Sequence, residues 1–477
     1  MKKIAIMTAA LLAVTSLAAC SGANEPATAT AQTAQTETIQ TETTSQTASE
    51  TVPESENFTT IETETVPQNY IQDADSESWF ERIRSEWAPG GKELSDSDKV
   101  GSALYELSDG EICDDMIFDA SMPDCSSVRA QGDVDASLTG CSIYKMAGDS
   151  QGKDESSFYG KNAAVQALDG AFLRILNAQV NAAAGSATGV FAYNDAVICI
   201  ADSTVDVSGG GAGGIQVAGG GKLYAWNLTV NTESKAAIRS DRGGGVMEVN
   251  GGTYTANGKD GCPAVYSTAD ITVRNAYLTS NHSRAVIIEG RNSVTLEGCI
   301  SSGCDESTKE GSIKANVLIY QSHSGDAKEG TGTFTMTGGS MKANAGYMFY
   351  CTNTSAVINL EATELVYSPE GGFLRVSSGR WGNDGSNGAG CVLNCKDQKM
   401  EGEIYVDEIS SLEINMTGSD YTGAVNPDGE EGYVKVSMDE NSSWILTADS
   451  YITEFDGSLE NVDTGNFHLY VNGESIK

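Results

Sequence analysis

The residues best suited to chemistry are a scatter of arginines. Arg239, Asp241 and Arg242 share one short stretch, Arg274 follows one repeat later, and Arg284 and Arg291 come after it. Elimination on an acidic polysaccharide needs carboxylates that hold Ca2+ and an Arg or Lys that removes the proton α to a uronate. Arginines at equal positions of a repeating fold would stack into a column able to grip such an anion. The acids that calcium needs are not gathered beside them, however, and solvated outward strand positions account for these arginines more economically. Hydrolysis with inversion needs a spaced pair of carboxylates. Asp114/Asp115, Asp133/Asp135 and Asp305/Glu306 are scattered, and most read as turn residues.

His282 and His323 lie in Asn281-His282-Ser283 and Ser322-His323-Ser324, which read as loops, and the chain has only 3 His. That leaves little for an imidazole metal site, so neither a metal nor a cofactor is expected, and no catalytic residue is assigned. The glycine run 209–214 has no Lys-Ser/Thr after it and reads as a corner rather than a phosphate cradle. Tyr320 and Trp381 are the aromatics placed to act as sugar platforms, and both serve equally well as packing rings. Arg239 and Arg274 complete the set of possible ligand contacts.

These residues sit on a repeat. Apolar strands begin at Val197, Leu223, Val246, Ile271 and Val294, at steps of 26, 23, 25 and 23 residues, and resume at Phe334, Val357, Val392, Leu412 and Trp444 with larger gaps where loops enter. A companion series runs in step through Val190, Ile215, Ile238, Val265, Val286, Val317, Met348, Phe373, Ile404 and Val434. Glycine and asparagine punctuate the unit, as in Asn250-Gly251-Gly252-Thr253 and Thr337-Gly338-Gly339-Ser340, where tight corners need positive φ. A period near 23–25 with two or three short strands predicts an all-β chain, a right-handed parallel β-helix over residues 104–477. About ten or eleven coils at about 4.8 Å each span roughly 50 Å. Leucine-rich repeats share the period but need a Leu/Asn consensus that is missing, and the 90-residue self-similarity of a sandwich array is absent.

Ahead of the repeat the composition changes three times. Residues 1–19 carry Lys2 and Lys3, then an apolar run from Ile4 to Val14 too short for a stable span. Leu17-Ala18-Ala19-Cys20 matches a bacterial lipobox, so cleavage before Cys20 and lipidation of its thiol are expected, with anchoring to a membrane. Residues 20–68 are Thr, Gln, Glu, Ala and Ser with almost no large apolar side chains, a disordered tether reaching about 40 Å. Residues 69–103 hold a linker and a short helix, in which Trp79, Phe80, Ile83 and Trp87 share one face, Ser76 stands as N-cap, and Pro89-Gly90-Gly91 ends it. Such a helix is expected to cap the open end of the core.

The charge balance, 66 Asp+Glu against 29 Lys+Arg for a net −37, becomes −39 once Lys2 and Lys3 leave with the signal. That field repels phosphate, which excludes nucleic acid as a partner. Of the ten cysteines after Cys20, Cys199 and Cys351 read as small buried ladder residues. Cys299/Cys304 and Cys391/Cys395 are close pairs, and Cys113, Cys125 and Cys141 cluster early; outside the cytoplasm disulfides are the default. Cys391 and Cys395 share a strand face about 13 Å apart, too far to bridge without a bend or other partners.

The stretches Leu318–Ala327, Gly332–Gly339 and Gly379–Gly388 resemble segments of bacterial adhesin-like β-helix surface proteins, akin to pectate-lyase-like and pertactin-like helices. The resemblance covers roughly residues 150–477. It implies fold and surface location, and leaves activity open, because the fold hosts lyases, hydrolases and binding proteins. The expectation is a lipid-anchored protein of the bacterial cell envelope, an adhesin or glycan binder without catalysis. It would face the exterior, or the periplasm if the host has two membranes and the protein is not displayed at the surface. The alternative is a lyase or hydrolase acting on acidic polysaccharide.

Overall fold

The computed structural model describes residues 75–259, 261–429 and 432–477. The signal peptide, Cys20 and the tether expected over 20–68 lie outside the described residues. No helix among the described residues is long and apolar enough to cross a membrane.

The chain from Ser102 onward winds as a β-solenoid. Each full coil contributes a strand to a first sheet, then one to a second face and one to a third, and strands on a face pair in parallel with those one coil away. The first sheet holds eleven strands among the described residues. The second and third faces form one continuous sheet, because Gly221–Thr232 and Gly245–Lys259 run through the corner between them.

Alternation within each short strand sends every second side chain inward, where it meets the same position of the next coil. On the first sheet Val190, Ile215, Ile238, Val265, Val286 and Val317 lie in register. On the second face Ile198, Leu223, Met247, Ile271, Val294 and Phe334 do the same. All twelve are essentially without solvent contact. Burying such side chains contributes about 1.5–3 kcal/mol each, so the repeated inward positions are the principal favourable term.

The corner between the second and third faces explains the glycines and asparagines. Asn177, Asp202, Asn227, Asn275, Gly298 and Gly338 all occupy it with φ between 47° and 61°. These residue types reach the left-handed region at least cost. Their backbone N–H groups carry the ladder through the bend, as in Asp202 N donating to Trp226 O at 3.0 Å and Asn275 N to Glu297 O at 2.9 Å. Ala362 holds the same corner at φ 48° without that licence.

The coil length varies. Partners on the second face are 25 residues apart from Ile198 to Leu223 and 24 from Leu223 to Met247, but 40 from Val294 to Phe334 and 35 from Ile358 to Leu393. The two long steps insert loops that fold over the outer side of the first sheet. Beyond Val406 the series departs from the expected places. Val434, expected on the first sheet, pairs with Leu412 on the second face, and Trp444, expected on the second, pairs with Tyr421 on a four-stranded extension of the stack. Val425 takes the first-sheet place through a single bridge to Ile404. A strand reduced to one bridge shows no alternation, so this shift is invisible to periodicity.

The N-terminal helix forms over Ser76–Glu86, with Asp75 rather than Ser76 as its cap, accepting from Ser78 N at 2.8 Å. It does not close the open end of the core. Trp79, Phe80 and Ile83 pack on the outer side of the second face, against Phe172, Val197, Cys199 and Ala201. These coils carry apolar side chains on both sides of the strand, so they need an outer cover as well as a core. Cys199 is therefore buried under the helix and is not part of the interior ladder, whereas Cys351 does face inward.

Candidate functional site

Polar side chains gather on the covered outer side of the first sheet and on the open outer side of the second face.

On the first sheet, Gln216, Arg239, Tyr266, Ile287, Leu318 and Tyr350 follow one another across successive strands. Beside them Glu289 pairs with Tyr320. The inserted segments and the short helix Lys153–Tyr159 roof this surface. Under the roof Glu289 is 1% exposed and accepts from the hydroxyls of Tyr266 at 2.5 Å, Tyr320 at 2.9 Å and Ser322. Burial is the main reason the Tyr266 and Tyr320 phenols are pushed above their ordinary range; Tyr320 and then Glu289 add to it at Tyr266, and Glu289 adds to it at Tyr320, where the hydrogen bond with Tyr266 works the other way. Arg239 lies over the Tyr266 ring, 4.5 Å from its centroid, and donates twice to Oδ2 of Asp241, at 2.7 and 3.0 Å. Trp381 rests on Tyr320, with ring centroids 4.9 Å apart and planes 40° to each other.

Lys235 stands at the edge of this network, its ammonium 2.5 Å from the Ser157 hydroxyl. Burial, then the neighbouring Arg239, push it down to about 8. Arg242 reaches Asp326 of the roof at 2.6 Å and covers the Phe158 ring at 4.0 Å. Further along, Arg284 pairs with Asp305 at 2.8 Å, both largely buried, and burial lowers the arginine.

The structure thus brings Arg239, Tyr320 and Trp381 onto one surface, and it puts Arg274 on another. Arg274 lies on the second face, clamped between Glu248 at 3.0 Å and Glu297 at 2.8 Å. The arginines do not stack into one column, because Arg239 and Arg274 belong to different sheets. Tyr320 is 7% exposed, which leaves Trp381 as the accessible ring of the two. Of the carboxylates considered for hydrolysis, Asp115 is a corner residue and Asp135 is held by Arg84. Asp305 belongs to Arg284, and Glu306 sits between His282 at 3.1 Å and Lys259 at 3.2 Å. His282 ends a strand instead of lying in a loop. No group of three metal-ligating side chains comes together among the described residues.

The second surface is open. Asn359 Nδ2 donates to Thr335 Oγ1 at 3.0 Å, Asn394 Nδ2 to Asn359 Oδ1 at 2.9 Å, and Asn415 Nδ2 to Asn394 Oδ1 at 3.0 Å. They line a shallow groove of about 220 Å3 rimmed by Glu361 and Lys396, themselves 2.5 Å apart. A carboxamide offers two donors and two acceptor positions, so each rung spends one donor on its neighbour and keeps capacity to meet a ligand. The sequence carries a signal for this ladder: Ile358-Asn359-Leu360, Leu393-Asn394-Cys395 and Ile414-Asn415-Met416 each set one Asn between two inward apolar residues. Glu289 leaves a fainter mark, an acid closing the apolar run Val286-Ile287-Ile288. A larger groove of about 500 Å3 under the N-terminal helix is crossed by the Arg84–Asp135 and Arg174–Glu81 pairs.

The fold defines the chain as a parallel β-solenoid. No family model, no curated protein and no solved structure matches it.

Proposed function

We propose that this chain is a lipid-anchored protein of a bacterial cell envelope whose solenoid binds polysaccharide or a host-surface glycan without catalysis, in the manner of adhesin-like surface proteins. The observation that carries this reading is the Thr335–Asn359–Asn394–Asn415 groove. It repeats neutral donors and acceptors at the spacing of adjacent strands, about 4.8 Å, along a surface that needs no rearrangement to meet a chain of hydroxyl groups. Preorganised polar groups of this kind give binding without the entropy of ordering them. The lipobox at Cys20 and the scarcity of large apolar side chains over residues 20–68 support display at a membrane surface.

Binding is favoured over uronate elimination because the arginines are occupied. Arg239 is held by Asp241 and Tyr266, and Arg274 by two glutamates. A glycan array probed with the mature chain, residues 20–477, tests the reading. Asn394→Ala and Thr335→Val are expected to weaken any captured glycan at least tenfold while the solenoid stays folded. No captured glycan across neutral and acidic polysaccharides rejects binding, and unsaturated or reducing ends released from pectin, alginate or glycosaminoglycan establish catalysis instead.

A further inference from the structure

Two interior cysteines from different sheets meet where the solenoid carries its second insertion. Cys351 stands on the first sheet in line with Ile319 and Val376, and Cys391 on the second face in line with Ala356 and Leu412. Both are within the core, at 0% and 2% exposure, and their Sγ atoms are 3.9 Å apart. Between them the chain makes one long coil, residues 352–390, which carries Trp381 and closes over the outer side of the first sheet. Cys391 and Cys395, four residues apart, project inward from two different positions of one strand, and Cys395 Sγ lies 3.1 Å from Met400 Sδ. Among the cysteines of this region, then, it is Cys351 that Cys391 faces.

We propose that Cys351 and Cys391 form a disulfide when the chain folds in an oxidising compartment, fastening the first sheet to the second face at the base of the Trp381 insertion. A sulfur–sulfur bond is about 2.05 Å long, so the two side chains have to close a gap of just under 2 Å by rotation and small shifts of adjacent coils. Two thiols lose two protons and two electrons, and the oxidant is a disulfide of the thiol-exchange class, oxidised glutathione or an envelope oxidoreductase, which is reduced to two thiols. Exchange proceeds through a thiolate. In the packed core, contact with Cys391 and then burial hold the Cys351 thiol protonated. The bond is therefore made while these coils are still open. A bridge here ties the ends of a closed loop, the arrangement in which a cross-link restricts the unfolded chain.

The occurrence of the bond in cells rests on the export reading above; the capacity to form it does not. The full chain, reduced and unfolded, is refolded with a glutathione redox couple, alkylated and mapped by mass spectrometry without reduction. A peptide joining Cys351 to Cys391 is expected as the main linked species, and a phosphine reductant is expected to lower the midpoint of thermal unfolding in the parent chain and not in Cys391→Ala. Recovery of Cys351 and Cys391 as alkylated thiols in refolded protein, or their linkage to other cysteines, overturns the proposal. The same mapping on protein made with its own leader separates the two readings. A bond found on refolding but missing from the cellular protein counts against export and leaves the pairing standing.

Discussion

The phenol of Tyr320 donates to Oε2 of Glu289 across 2.9 Å, beneath a loop that is tied to the same carboxyl group by Ser322. The pair joins two neighbouring strands of the first sheet to residues 321–330. A buried acceptor that loses one of several donors costs about 1–3 kcal/mol, so Tyr320→Phe is expected to lower stability by that much. Glu289→Leu removes the acceptor of four hydroxyls, those of Tyr266, Tyr320, Ser322 and Ser324, and is expected to cost more. Urea unfolding gives the magnitudes, and amide hydrogen exchange should quicken across residues 321–330 in both variants.

Arg284 and Asp305 are a buried pair, and Asp305 also accepts from the backbone N–H of Ser307 at 2.9 Å and of Ala315 at 3.1 Å. Removing one partner of such a pair leaves an uncompensated charge and costs about 3–5 kcal/mol, whereas replacing both is far milder. Arg284→Met should fall in that range. The double variant Arg284→Met/Asp305→Asn should recover at least half of the loss. Equal destabilisation by the single and double variants would contradict a coupled pair.

Lys235 carries a pH signature. Its folded value, about 8, lies below the 10.5 of an unperturbed lysine. Between those values the unfolded chain binds more protons, so the contribution of Lys235 to stability rises with pH across that window. Below about pH 8 both states are protonated and the full desolvation cost is present. Lys235→Met is therefore expected to melt higher than the parent at pH 6–7, with the difference shrinking towards pH 10. A constant difference across that range would show that Lys235 is not desolvated in the native state.

Ala362 holds a left-handed corner that Asn177, Asp202 and Asn275 hold in other coils. An alanine there pays roughly 1 kcal/mol for its Cβ, and its side chain is exposed, so little packing is lost by removing it. Ala362→Gly is expected to raise stability by about 0.5 kcal/mol after the added flexibility of the unfolded chain is counted. Ala362→Asn should match or exceed it. Thermal unfolding of the three proteins in parallel measures the order.

The solenoid was legible in the chain because its determinants are local. Val197-Ile198-Cys199-Ile200 and Leu223-Tyr224-Ala225 announce strands, and Asn250-Gly251-Gly252 announces a corner where Gly251 and Gly252 do take positive φ. Alternation tells which side chains leave the strand on opposite sides. It does not tell which of three faces a strand joins, and for that reason Arg239 and Arg274 looked like one column yet lie on two.

What the sequence by itself determined is the coil, its period, its corners and its inward columns, since each depends on residues a few places apart. Only the tertiary structure decided what the outward residues do. Loops inserted far along the chain return over the first sheet, bury Glu289 and Tyr320, and withdraw that surface from solvent, while Asn359, Asn394 and Asn415 stay open because nothing in the described chain folds over them. Covering is a long-range contact between segments tens of residues apart, and no local pattern encodes it.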